Sequence, residues 1–201
     1  AGSGRSSISG LIDANAATLD ARRHSTLAHD AEIRRRVNEV AIDPRRSPGP
    51  DARAEAQRSR FHLPDLATTT VGSFPQTREL RGARSAWQSG ELSDDRYEAS
   101  LRAEIDRIVA LQEEIGLDVL VHGEPERDDM VRYFAGFLCG FALTEEAWVQ
   151  SYGSRCVRPP VLFGDVVRSA PITIEWARYA QSRTAKPLKA ILTGPVTMVR
   201  W

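Results

Sequence analysis

The sequence predicts an α/β fold, in which short apolar strands alternate with helices. Four apolar runs lie at residues 68–74, 117–121, 161–167 and 188–192, and helical segments separate them. Each run ends at or near a polar turn that contains glycine or proline. Because strands that are apolar on both faces are typical of parallel sheets covered by helices, we expect these four to form one parallel sheet.

The clearest helix is predicted between the first two runs, over residues 93–115. Ser93 is suited to cap its amino end, Ile105 and Ile108 continue its apolar face, and Gly116 ends it. Further helices are predicted at residues 78–89, 128–138 and 172–182. At least one helix therefore separates each run from the next.

Residues 1–63 differ in composition from residues 64–201. Residues 1–60 contain no Phe, Tyr or Trp, and they are too poor in large apolar side chains to form a core of their own. Helical composition recurs at residues 9–22, 30–42 and 52–61, around a proline-rich loop at residues 43–51. We therefore predict a helical extension and interdomain linker over residues 1–63, which either packs on other parts of the protein or is partly mobile.

Composition excludes several classes of protein. The chain has 27 basic and 27 acidic residues, and zero net charge argues against a general nucleic-acid binder. The longest apolar stretch, residues 134–143, is too short to span a membrane, and we see no secretory signal. Two cysteines, Cys139 and Cys156, make no disulfide framework, and we expect Cys139 to lie in the core. A cytoplasmic location without nucleic-acid or membrane partners is expected.

The turns that follow the four runs carry the residues best suited to chemistry. In a (β/α)8 barrel, the active site lies at the carboxyl ends of the strands, where such turns meet. A barrel takes about 250 residues, and residues 64–201 supply only about half of that length. We therefore predict a partial (β/α)8 TIM barrel with about its first four strands. Its open edge would be covered by the remainder of the barrel or by self-association.

Glu124 lies in the turn after the second run, two residues beyond His122. If the strand continued, Leu120, His122 and Glu124 would share one face. A carboxylate there can bind an ammonium group or act as a base, although a solvated or arginine-paired glutamate remains an alternative. His122 and Glu124 can ligate a metal, but two ligands do not make a site, and we expect His122 to be a hydrogen-bonded histidine.

Gly72 and Ser73 occupy the turn after the first run. Glycine permits a close approach by another backbone or a ligand, and Ser73 offers an N–H and a hydroxyl group to a carboxylate. The alternative is a simple strand end before Pro75.

Arg155 and Cys156 lie in a glycine-containing turn near the third run. Arg155 is suited to bind a carboxylate or to stack on a planar heterocycle, and an ion-paired surface arginine is the alternative. Cys156 is most simply a small buried residue, since no histidine lies near it in the sequence to activate a thiolate. The sequence contains no complete metal site, nucleotide-binding loop or catalytic-triad motif.

Four longer segments follow one another in the order of a known family: residues 68–77 (TTTVGSFPQT), 116–124 (GLDVLVHGE), 148–156 (WVQSYGSRC) and 186–197 (KPLKAILTGPVT). With these motifs, residues 64–201 resemble the first part of the C-terminal catalytic domain of cobalamin-independent methionine synthase. Residues 1–63 look like the end of the family's N-terminal domain and the connection between the domains.

The resemblance implies a two-barrel enzyme that transfers the methyl group of 5-methyltetrahydropteroyltri-L-glutamate to L-homocysteine, which gives L-methionine. In the family, a zinc ion binds the homocysteine thiol. A free thiol has a pKa of about 8.5, so a cation is needed to hold it as thiolate at neutral pH.

Site residues follow from the same resemblance. Homocysteine or methionine would be held by Val71, Gly72, Ser73 and Glu124, with Glu124 on the amino group. The folate would contact Arg155, Cys156 and Trp201, with the tryptophan stacked on the pterin.

The chain departs from the family pattern because it contains no His-x-Cys pair, which the family uses among its zinc ligands. The family's proton-donating histidine also lies beyond Trp201. The resemblance therefore implies a fragment of a zinc-dependent methyltransferase that is inactive by itself. Two alternatives remain open: a natural half-barrel that binds partners without catalysis, and a related methyltransferase that acts on another thiol.

Overall fold

The computed structural model describes residues 8–40 and 45–200. The chain divides into two compact units. The first combines Ala1–Ile42, Val131–Ala170 and Pro195–Trp201, and the second combines Asp43–Met130 and Pro171–Gly194. Among the described residues, no helix is both long and apolar enough to cross a membrane.

The described residues form helices and strands in the following order. The helices are α1 (Ser9–Arg23), α2 (Ala31–Glu39), α3 (Pro50–Phe61), α4 (Arg78–Gln88), α5 (Asp94–Ile115), α6 (Met130–Ala135), α7 (Ile174–Ser182) and α8 (Pro195–Arg200). The strands are β1 (Leu138–Ala142), β2 (Val149–Tyr152), β3 (Arg155–Val157) and β4 (Val161–Arg168). The helices predicted over residues 9–22, 52–61, 78–89, 93–115 and 172–182 are confirmed. The helix predicted over 128–138 is confirmed only in part, because β1 begins at Leu138.

Helix α5 organises the second unit. It begins after Ser93 and ends at Gly116, whose φ of 87° is the left-handed conformation that glycine adopts without strain. Its Ile105 and Val109 pack with Leu120 and Ala180 into a buried cluster. Burial of an aliphatic side chain stabilises a fold by about 1.5–3 kcal/mol, so this cluster anchors α5 on the segment that carries Leu120.

Three of the four predicted apolar runs lie side by side in the second unit, and they are parallel. Thr69 pairs with Val119, Ser73 with Gly123, and Leu120 with Leu188. The two lysines of the chain reinforce this arrangement. Lys186 Nζ donates to the Leu117 carbonyl at 2.6 Å, and Lys189 Nζ donates to the Thr70 carbonyl at 2.6 Å.

The third run, residues 161–167, is a strand, as predicted, but its place in the parallel sheet was predicted wrongly. Strand β4 pairs antiparallel with β1 in the first unit, with Leu138 opposite Arg168 and Ala142 opposite Val161. Gly140 has a φ of 89°, and a Cβ there would lie 2.5 Å from the Asp165 carbonyl oxygen. The prediction assumed that this strand is buried on both faces, but much of β4 is exposed. Its antiparallel pairing with β1 also needs no crossover helix.

The segment around α2 packs on β4, as expected for an extension without its own core. The Asp165 carboxylate accepts hydrogen bonds from the Asp30 amide at 2.9 Å and from Arg34 Nε at 2.7 Å. The Asp165 amide donates to the Ala28 carbonyl at 3.0 Å. Residues 28–34 are therefore joined to the sheet of the first unit.

Both cysteines are free and exposed. The prediction that Cys139 lies in the core was wrong, because β1 belongs to a two-stranded sheet that leaves this side chain uncovered. The simplest expectation for Cys156, a buried side chain, was also wrong.

Candidate functional site

Two turns meet at the ends of adjacent parallel segments in the second unit. Ser73 pairs with Gly123, and the Phe74 amide donates to the Gly123 carbonyl at 2.9 Å. Gly72 and Glu124 are thereby placed side by side. The carboxyl ends of parallel strands are where α/β proteins bind ligands.

Gly72 lies against the Glu124 side chain. A Cβ at Gly72 would be 2.7 Å from Glu124 Oε1 and 2.7 Å from Ile191 Cγ1. The close approach expected at this glycine is thus made by a carboxylate of the protein. Any larger residue would displace either the carboxylate or Ile191.

The backbone turns sharply at Gly123 and Glu124, with φ values of 86° and 58°. A Cβ at Gly123 would also collide with the Ile108 side chain. Glu124 is not a glycine, so its left-handed conformation is strained and must be held by its surroundings. Its carbonyl accepts hydrogen bonds from the Arg127 amide at 3.2 Å and from Gln76 Nε2 at 3.4 Å. The extended strand conformation therefore ends at His122, and the prediction that His122 and Glu124 share one strand face does not hold.

Glu124 belongs to a buried group of four charged or titratable side chains, which we call the buried ionic cluster: His122, Glu124, Glu126 and Arg127. His122 Nε2 lies 3.1 Å from Glu126 Oε1, and Arg127 Nε donates to that oxygen at 2.9 Å. Arg127 Nη1 lies 3.4 Å from Glu124 Oε2. The four side chains are at most 3% exposed. Charges buried to this extent persist only when they are paired, so the arginine-paired alternative for Glu124 is the one found.

The pKa of Glu126 lies below its ordinary value. Burial by itself would raise this pKa, but the hydrogen bond from His122 and the electrostatic interactions with His122 and Arg127 outweigh it. Glu126 is therefore an ionised carboxylate that holds both neighbours in place. The expectation of a hydrogen-bonded His122 is confirmed.

Gln112 of α5 fixes the strand that leads into the site. Its Oε1 accepts a hydrogen bond from the Val121 amide at 2.9 Å, and its Nε2 donates to the Val121 carbonyl at 2.8 Å. The Gln112 side chain thus makes both of the backbone hydrogen bonds that a neighbouring strand would make with Val121. These two hydrogen bonds fix the backbone of Val121 and so help to position His122, the next residue.

The remaining predicted site residues are not all in this unit. Val71 is 90% exposed beside Gly72. Arg155 and Cys156 lie on β3, which pairs with β2 in the first unit across a turn at Gly153. Trp201 lies outside the described residues. The structure therefore brings together Gly72, Ser73 and Glu124.

Sequence reasoning missed Glu126 and Arg127. Charged residues in a proline-containing turn are usually solvated, and nothing in their local pattern distinguishes these two. The available signal is the spacing of His122 and Glu126, four residues apart directly after a buried strand.

Zinc does not fit the residues present. Across residues 8–40 and 45–200, no group of three or more His, Cys, Asp or Glu side chains could hold a metal ion. The buried ionic cluster uses its carboxylates to pair with Arg127 and His122. Zinc therefore has no part in the steps assigned to these residues.

A buried carboxylate at the end of a parallel strand, beside a glycine of the next strand, is typical of an α/β enzyme domain with a strand-end binding site. Comparison with known proteins is more specific. Residues 66–201 match the family model described as the catalytic domain of cobalamin-independent synthase. The chain belongs to this family.

Two curated relatives carry the name 5-methyltetrahydropteroyltriglutamate–homocysteine methyltransferase. The protein of that name from Caulobacter vibrioides is 56% identical over 98% of this chain, and the match covers 26% of the relative. The one from Bradyrhizobium diazoefficiens is 58% identical over 90% of this chain and 23% of its own length. The chain thus spans about a quarter of the length of the curated relatives it matches.

Solved structures agree on the fold. A B12-independent methionine synthase from Shewanella sp. W3-18-1, in complex with selenomethionine, has a TM-score of 0.56 and 25% identity over 67% of this chain and 39% of its own. A putative vitamin-B12-independent methionine synthase from Listeria monocytogenes has a TM-score of 0.52 over 68% of this chain and 38% of its own. At 23% identity, the second likeness concerns the fold alone.

Proposed function

We propose that this chain is part of a longer methyltransferase that moves the methyl group of 5-methyltetrahydropteroyltri-L-glutamate to L-homocysteine, and that it supplies part of the substrate-binding surface. The observation that carries the proposal is the Glu124 carboxylate beside Gly72, at the ends of two adjacent parallel segments. This pair lies within the region that matches the family. The names of the curated relatives supply the substrates.

Each residue has a defined task in this proposal. The Glu124 carboxylate pairs with the ammonium group of homocysteine, a charge-assisted interaction that a buried site strengthens. Val71, Gly72 and Ser73 form the strand end that receives the amino-acid carboxylate. These contacts fix the backbone of the amino acid and so aim its thiol at the methyl donor, which lowers the entropic part of the barrier.

The folate side of the proposal uses Arg155, Cys156 and Trp201. Arg155 and Cys156 are exposed on β3, where a ligand can reach them. An exposed guanidinium is suited to a planar heterocycle or to a carboxylate of the glutamate tail. Cys156 is a contact residue here and takes no part in covalent chemistry.

The proposal also places the chain in a cytoplasmic enzyme whose remaining strands complete a (β/α)8 barrel. Residues outside this chain would ligate the zinc ion, which would hold the homocysteine thiol as thiolate. We expect the 201-residue chain alone to form no methionine. Methyl transfer by this chain in purified form would contradict that expectation.

The test is an assay of the longest protein that the gene encodes. It should contain zinc and form methionine from homocysteine and the triglutamyl methylfolate. Glu124→Gln should raise KM for homocysteine strongly, because the amide cannot pair ionically with the ammonium group. Glu98→Gln is the matched control, since Glu98 is an exposed α5 carboxylate paired with Arg102. An inactive wild-type protein, or equal kinetics for the two variants, would refute the proposal.

A further inference from the structure

Arg127 is the residue that connects the parts of the candidate site. Its backbone amide donates to the Glu124 carbonyl at 3.2 Å, and its Nη1 donates to the Ile191 carbonyl at 3.1 Å. The same Nη1 lies 3.4 Å from Glu124 Oε2. One buried side chain therefore joins the turn that carries Glu124 to the parallel segment at residues 188–192.

The two oxygens of Glu124 have different surroundings. Oε2 faces Arg127, whereas Oε1 faces Gly72, where an added Cβ would be only 2.7 Å away. The ion pair with Arg127 at one oxygen and the close contact with Gly72 at the other define the orientation of the carboxylate.

Glu126 limits how strongly Arg127 holds Glu124. Arg127 Nε is 2.9 Å from Glu126, shorter than the 3.4 Å that separates Arg127 Nη1 from Glu124. His122 fixes Glu126 from its other side at 3.1 Å. The shorter ion pair is thus made with Glu126, and Arg127 holds the Glu124 carboxylate less closely.

We propose that Arg127 is a positioning residue for the amino-acid substrate: it orients Glu124 so that Oε1 is presented beside Gly72 to an ammonium group. The inference rests on the proposed function, because it takes the ligand to be an α-amino acid with a thiol side chain. Arg127 itself does not contact the substrate. Its effect is on recognition of the amino group.

The test compares two thiols in the longest protein that the gene encodes. L-Homocysteine carries the amino group, and 4-mercaptobutanoate is the same molecule without it. Calorimetry gives Kd for both ligands, and steady-state kinetics separate KM from kcat for homocysteine. Arg127→Met should reduce the preference for homocysteine over the des-amino thiol by about thirtyfold or more, the loss typical of removing one partner of a buried charge pair. Arg127→Lys should keep part of the preference because it retains a positive charge.

Arg102→Met is the matched control. Arg102 is a half-buried arginine of the same unit whose Nε donates to Glu98 at 2.8 Å and whose guanidinium lies over the Tyr179 ring. Its loss should lower stability and leave the preference between the two thiols unchanged. If Arg127→Met fails to fold, as judged by circular dichroism, Arg127→Lys decides the question.

Three results would overturn the inference: a wild-type protein that does not prefer homocysteine, Arg127 variants that keep the full preference, or an equal loss in Arg102→Met. Failure of the proposed function has a different signature. In that case the wild-type protein forms no methionine, while the binding comparison between the thiols can still be made.

Discussion

The two units hold opposite charges together in different ways. The buried ionic cluster of the second unit places four side chains at most 3% exposed. In the first unit, Arg34 and Asp165 pair at 2.7 Å with side chains that are 55% and 22% exposed. Water screens the Arg34–Asp165 pair, whereas it does not reach the charges of the buried ionic cluster. The buried ionic cluster therefore fixes the geometry of its side chains, and loss of one partner would cost much stability. The exposed pair only adds to contacts that the backbone already makes.

Removal of one charge from the buried ionic cluster should have the largest effect. Glu126→Gln would leave Arg127 and His122 without their shared carboxylate. We expect the free energy of unfolding to fall by about 3–5 kcal/mol, as for other buried pairs that lose one partner. Denaturant unfolding measures this, and a loss no greater than that of Asp165→Asn would contradict the contrast between the two units.

A pair of glycine substitutions gives the next largest difference. Gly123 and Gly153 both have positive φ, but a Cβ at Gly123 would strike Ile108, whereas a Cβ at Gly153 has no atom within 4 Å. Gly153→Ala should cost about 1 kcal/mol for the left-handed backbone alone. Gly123→Ala adds overpacking, which costs about 1–3 kcal/mol more.

Thermal unfolding of both variants checks this prediction. Equal shifts in Tm would mean that Ile108 relaxes without cost and that the site tolerates a wider turn.

Acid should act on the exposed pair through Asp165. Its pKa is lowered, first by the hydrogen bond from Arg34 and then by that from the Asp30 amide. Because the folded pKa lies below the unfolded value of about 3.9, the stabilisation is complete above that value and is lost as pH falls through the folded pKa. Asp165→Asn should therefore be less stable than wild type at neutral pH, with the gap closing in acid. A gap that is constant with pH would contradict this role.

The smallest effect is expected on the surface of α2. Arg35 pairs with Glu32 and Glu39, and these side chains are all more than half exposed. Arg35→Gln should leave the unfolding curve unchanged within error at moderate salt, since such pairs are screened. A clear loss of stability would show that exposed pairs in this protein matter more than the contrast implies.

The predictable parts of the fold were those with local signals. Helix α5 could be predicted from its apolar face and from Gly116, because periodicity and the terminating glycine are local in sequence, although the Ser93 side chain makes no capping hydrogen bond. The pairing of β4 could not, since a strand's partner depends on contacts distant in sequence. Glu124 and Gly72 could be singled out as strand-end residues, but Arg127 could not, because only burial distinguishes a structural ion pair from a solvated charge.

The two lysines of the chain are natural probes of the parallel segments. Lys186 and Lys189 are the only lysines, and both ammonium groups donate to backbone carbonyls of the parallel segments. Both side chains are half-buried and bonded to a carbonyl, so a reagent reaches their nitrogen atoms poorly. Amine-specific reagents should therefore label these side chains slowly in the folded protein and rapidly once the segments separate. Mass spectrometry of lysine labelling would then report when this part of the sheet opens, without any engineered probe.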